Sequence, residues 1–217
     1  MSKTVHPYSF RIGILHGWKS RWFNLKNYRH LLRADVLIRE WLEKRLRGMY
    51  IESIDIERSP VLFHLIIKTS RPGLLIGRKG EGTEKLKDEI KKKILKLKIE
   101  MPQELKLTVE EVRSPETHAK IVCQMIAENL EKRLPFKRVM KQTMEKMLAN
   151  KEVKGARIVL SGRLGGSDMS RLESLKKGRI PLQTLRVDID FAKERAHLPY
   201  GDIGIKVWIC KGEKFKS

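Results

Sequence analysis

Cysteine is scarce in this chain: two in 217 residues, Cys123 and Cys210, far apart and each set among apolar neighbours. A disulfide framework or a structural zinc site needs more ligands at closer spacing, so both read as small buried hydrophobes. No run of about 18 apolar residues occurs, which leaves no candidate membrane-spanning helix. The opening MSKTVHPYSF carries no signal-peptide hydrophobic region, so an intracellular protein is expected. Acidic residues are also few, 26 against 47 Lys and Arg, for a net charge of +21. Self-repulsion on that scale calls for a polyanionic partner. The cations are spread along the chain rather than gathered beside a lipid anchor, which favours nucleic acid over a membrane.

Enzyme signatures are missing too. There is no GXXXXGK followed by Ser or Thr, no HEXXH and no GXSXG. Gly80-Glu81-Gly82 is followed by Lys85 where a dinucleotide fingerprint needs a third glycine. The six histidines are scattered. Asp188 and Asp190 share a strand face and read as a structural charge network rather than a catalytic dyad. No enzymatic activity, metal or cofactor is therefore expected.

What is present is enough apolar content, 41%, for packed cores. After a basic and aromatic extension over 1–27, an amphipathic helix is predicted over 28–47, with Leu31, Leu32, Val36, Trp41 and Leu42 as its apolar stripe and Gly48 as its stop. Alternation predicts strands over 51–58 and 61–69, joined at Ser59-Pro60. A short helical turn near Pro72 leads to Gly77-Arg78-Lys79-Gly80. A helix then runs to about 98 with Leu86, Ile90, Ile94 and Leu97 inward, and a strand covers 104–112. The unit spans 28–113. Beyond it, over 114–217, Ser114 and Pro115 are expected to start a helix ending near Leu134, and a second helix covers 136–149. Strands are predicted over 156–164, 180–195 and 203–211, with a short helix over 168–177. The fold class is α+β, its second half two helices on an antiparallel sheet.

The most informative motif is Gly77-Arg78-Lys79-Gly80. Two glycines allow a tight turn between helices with backbone close to a bound strand, and the next helix offers free N–H groups and a positive dipole end. Arg78 and Lys79 add cations. A bare GXXG is weak, but between two helices, after a hairpin and before a strand, it resembles the clamp of a type II KH domain (αββααβ), which grips nucleotides by their backbone. In the helix over 136–149, Lys137, Arg138 and Lys141 occupy an arc away from Phe136, Met140, Met144, Met147 and Leu148. On chemistry alone that arc reads first as a solvated face. Arg163 with Gly165 and Gly166 suits a phosphate contact or a plain strand end equally. In the N-terminal segment, Arg11, Lys19 and Arg21 are candidate RNA contacts.

Taken together the motifs resemble the small-subunit ribosomal protein three family, bacterial type, over nearly the whole chain. They include Trp18-Lys19-Ser20-Arg21-Trp22-Phe23, Leu75-Ile76-Gly77-Arg78-Lys79-Gly80, Phe136-Lys137-Arg138-Val139-Met140-Lys141, Ser161-Gly162-Arg163-Leu164-Gly165-Gly166, and the stretch from Tyr200-Gly201-Asp202 to Trp208-Ile209. The resemblance implies a place in the head of the small subunit, with ribosomal RNA and neighbouring head proteins as partners. It implies that Lys137, Arg138 and Lys141 meet messenger RNA at its entry channel and assist duplex unwinding. Lys137 stands where Arg is common in the family, a point charge in place of a planar fork. The expected location is the ribosome of the cytoplasm, with an organellar ribosome as the alternative.

Overall fold

The computed structural model describes residues 5–59, 61–96 and 104–215. The chain divides into two compact units, one formed by Trp18–Arg113 and the other by the residues up to Gly17 together with Ser114–Ser217. The first stretch of chain therefore belongs with the last hundred residues, and the KH-like unit is an insertion between them.

In the Trp18–Arg113 unit the elements follow the order β1 (Ser20–Arg21), α2 (Tyr28–Arg45), β2 (Ile51–Arg58), β3 (Leu62–Thr69), α3 (Pro72–Ile76), α4 (Glu81–Lys96) and β4 (Glu104–Glu111); α1 (Pro7–Phe10) belongs to the other unit. The sheet order is β1-β2-β3-β4, with β2 and β3 antiparallel and β4 parallel to β3. The alternation of β2 and β3 turns Ile54, Ile56, Phe63, Leu65 and Ile67 into one buried layer. Leu86, Ile90 and Ile94 of α4 pack on it as their spacing requires; Leu97 lies outside the described residues. The stripe of α2 matches the expected one only in part: Leu42 is buried and Trp41 packs on the core, but the rest of the face is shifted. Its buried face is Ala34, Asp35, Ile38 and Leu42, whereas Leu32 and Val36 are exposed. A buried aspartate inside the apolar face misled the pattern. Asp35 is held there by the Trp22 indole N–H at 2.8 Å and by the Arg58 Nε–H at 2.8 Å, so its charge is paired where it is desolvated.

The second unit contains α5 (Ala119–Glu131), α6 (Phe136–Ala149) and strands β5 (Gly155–Gly162), β6 (Arg171–Gly178), β7 (Val187–Leu198) and β8 (Gly201–Glu213). Its sheet is antiparallel throughout, in the order β6-β5-β8-β7. Both helices pack on one face, against Ile158, Leu160, Ile205, Val207 and Ile209. Cys123 and Cys210 are buried and free.

Three sequence expectations change here. The segment Pro115–Thr117 is a separate 3-10 turn, and α5 begins only at Ala119, whose N–H is accepted by the Asp190 carboxylate at 2.7 Å. At its other end the helix stops at Glu131. Leu134 N–H returns to the Asn129 carbonyl and Arg133 N–H to that of Leu130, with Arg133 at φ 60°, the pattern of a Schellman close. The helix expected over 168–177 is instead the edge strand β6. Leu172 and Leu175, three apart, look helical in sequence. In the strand they fall on opposite faces, Leu175 on the core and Leu172 exposed, and pairing with β5 decides the outcome. Finally, the strand expected from 180 begins at Val187. Pro181 has no N–H to give a ladder, and the carbonyls of Leu182 and Thr184 are turned to another donor, Arg11.

Candidate nucleic-acid interface

In the KH-like unit, α3 ends at Gly77, which has φ 68° and ψ −173°; Lys79 has φ 51° and Gly80 φ 84°. Three left-handed residues in four reverse the chain and lift the Arg78 and Lys79 side chains into solvent. Neither makes a hydrogen bond or ion pair among the described residues, and both are exposed. A third glycine, which the spacing alone did not single out, is as necessary as the first two. A Cβ on Gly82 would sit 2.5 Å from the Leu75 carbonyl oxygen, so only glycine lets α4 start against the end of α3. Thr83 donates its hydroxyl to the Gly80 carbonyl at 2.7 Å and fixes the exit of the turn. The first turn of α4 carries Glu81 and Glu84. Lys85 hydrogen-bonds Glu81 at 2.5 Å, holding that carboxyl below the usual range and offsetting one of the two acidic charges beside the clamp. Leu74 and Ile76 of α3 are also exposed, an apolar edge next to the cations on which bases can pack.

In the other unit, α6 is amphipathic in the expected sense. Val139, Met140, Thr143, Met144 and Met147 are buried, and Lys137, Arg138 and Lys141 are exposed without a side-chain partner among the described residues. The glycine turn lies beside the start of this helix. A Cβ on Gly165 would stand 3.9 Å from the Phe136 ring. Gly165 and Gly166 have φ 70° and 79°, a requirement of the backbone rather than of space. Arg163 reaches Ser167 O at 2.9 Å and Tyr200 O at 3.3 Å, so much of its fork braces the turn. The structure thus brings the Gly165-Gly166 turn beside Phe136 at the start of α6, whose first turn also carries Lys137 and Arg138.

The N-terminal candidates are placed differently. Arg11 is wholly buried, and this corrects its reading as an RNA contact. Its guanidinium donates to the carbonyls of Val187 at 2.6 Å, Leu182 at 2.9 Å, Thr184 at 3.0 Å and Pro7 at 3.0 Å, leaving little for a phosphate. Burial pushes its pKa down from the ordinary value, and the nearby Asp188 charge opposes that. Asp188 itself lies 3.4 Å from His16 and 2.7 Å from Lys214, contacts that depress its carboxyl well below the usual range, the His16 contact most of all. Arg11 and Asp188 together clasp the segment 7–17 to the sheet. Lys19 is half-buried, its carbonyl accepting from Ile56 N–H at 2.8 Å. Arg21 is exposed and pairs with Glu57 at 2.8 Å. Both extend the edge of the first sheet through β1, which pairs parallel to β2.

A glycine-turned clamp between α3 and α4, on an αββααβ scaffold, defines a protein of the KH class. The KH domain family matches residues 37–117, and the family described as ribosomal protein S3, C-terminal domain, matches 126–209. Proteins named small ribosomal subunit protein uS3 from Lawsonia intracellularis and Maridesulfovibrio salexigens are each 44% identical over 98% of this chain and 96% of their own length. That from Caldicellulosiruptor saccharolyticus is 44% identical over 98% of this chain and 93% of its own. The chain belongs to the uS3 family of ribosomal proteins.

Proposed function

We propose that this chain is a structural constituent of the small ribosomal subunit. It binds ribosomal RNA in the subunit head, beside other head proteins, and presents α6 to incoming messenger RNA. The observation that carries the reading is likeness to uS3 proteins along 98% of the chain, across both units, which a free KH module would not need. The clamp at Gly77–Gly80 is open to hold a backbone. Lys137, Arg138 and Lys141 are free to grip separated strands by phosphate while translocation does the work, which requires no nucleotide-hydrolysing site of this chain's own.

Replacing Lys137 and Arg138 by alanine is expected to slow translation through a stable messenger hairpin several-fold and to leave an unstructured messenger at the wild-type rate. Single-template elongation assays on ribosomes carrying the variant make the comparison. Equal rates for variant and wild type on both templates would remove the entry-channel role and leave the structural one standing.

A further inference from the structure

The two sheets of this chain treat charge in opposite ways on the faces turned away from their long helices. In the first, Arg21 pairs with Glu57 at 2.8 Å, Glu57 with His64 at 3.2 Å, and Lys68 lies 3.9 Å from Asp55 and 3.8 Å from Glu110. Most charges on that face answer one another, Lys106 opposite His64 being the exposed exception among the described residues. In the second, the register places Lys176 opposite Arg157 and Lys206 opposite Lys193, cation against cation on neighbouring strands. Like charges directly across a ladder destabilise a sheet. Among the described residues no carboxylate pairs with them. Asp202, which shares that face, is taken by His197 at 2.6 Å. Lys176, Lys193 and Lys206 are exposed and have no partner among the described residues. Arg157 is held over the Trp208 ring at 5.3 Å, and Trp208 packs in turn at a tilt against Phe191, ring centres 4.9 Å apart, so one cation is aimed by packing rather than by a counter-charge.

These cations form a diagonal. It starts at Lys176 on the edge strand, passes Arg157 on β5 and reaches Lys206 on β8 and Lys193 on β7. It crosses three strand spacings, roughly 14 Å. We infer that the face of the β6-β5-β8-β7 sheet turned away from α5 and α6, beyond the part where His6 and α1 pack on β7 at Phe191, is a second RNA-binding surface, a track for the phosphates of a ribosomal RNA strand, separate from the KH clamp and from α6. RNA fits it better than a protein does. Lysine is depleted from the cores of protein interfaces, and this track has lysines where such an interface needs apolar anchors. Phosphates in turn supply the counter-charge that this face lacks. The inference rests on the reading that the chain holds ribosomal RNA.

The test compares three full-length proteins binding purified small-subunit ribosomal RNA across a salt series: wild type, Lys193→Gln with Lys206→Gln, and Lys68→Gln from the first sheet as a control. The double variant is expected to lose on the order of tenfold in affinity near 100 mM salt and about two units of the log–log salt slope. Lys68→Gln is expected to match the wild type. Removing the repulsion should leave the double variant unfolding at an equal or higher temperature than the wild type, which separates lost contacts from lost fold. Wild-type affinity and slope in the double variant would overturn the inference while the ribosomal reading stood. So would full RNA affinity with impaired entry into subunits, which would give the face to an acidic protein neighbour. No salt-dependent binding by the wild type would overturn both.

Discussion

Arg11→Ala is expected to destabilise the unit that contains it by roughly 3 kcal/mol or more, because four backbone carbonyls lose a charged donor and those in the interior have no water to replace it. For a unit of this size that is a fall of more than about 10 °C in the unfolding midpoint. The segment 7–17 should then become the first site of proteolysis. Arg11→Lys should recover only part of the loss, since one ammonium cannot serve carbonyls arranged around a planar fork. Thermal unfolding with limited proteolysis checks this. An Arg11→Ala protein that melts with the wild type but binds RNA more weakly would return Arg11 to the surface role its sequence context suggested.

Binding to ribosomal RNA should be steeply dependent on salt. A protein making six to ten phosphate contacts loses about 10³–10⁵ in affinity between 50 and 200 mM salt, because each contact releases condensed counterions. The cations at the clamp and on α6 are exposed and have no partner among the described residues, so the attraction is not spent on them. At +21, the free protein also repels itself, and bound RNA should raise its unfolding temperature most at low salt. Filter binding or fluorescence anisotropy over that range measures the slope. A nearly flat response would mean that base edges or apolar packing, not phosphate, carry the affinity.

How far the sequence could be read depended on whether the deciding contacts were local. The helix α6 was legible to its end residues, because Pro135 fixes its start and the Met spacing fixes its buried side. The clamp was legible because glycine at 77 and 80 has a backbone reason visible in the spacing. The need for Gly82 was not, because it comes from the Leu75 carbonyl across the turn. Arg11 looked like one more surface cation among many. Three of its four partners lie 171 to 176 residues away at Leu182, Thr184 and Val187, and nothing in the neighbourhood of Arg11 announces them. The edge strand β6 was misread for the same reason, since its conformation is imposed by the β5 ladder. Cation-on-cation rows in the second sheet are likewise invisible until register is known, which is why charge composition alone pointed to a polyanion but not to where it lies.

The most direct measurement is the amount of this polypeptide in small ribosomal subunits purified from its own cells and washed in moderate salt. One copy per subunit, in step with other ribosomal proteins and released only as salt is raised further, is the predicted result. Recovery of the chain solely in the free protein pool, with none in washed subunits, would contradict the account.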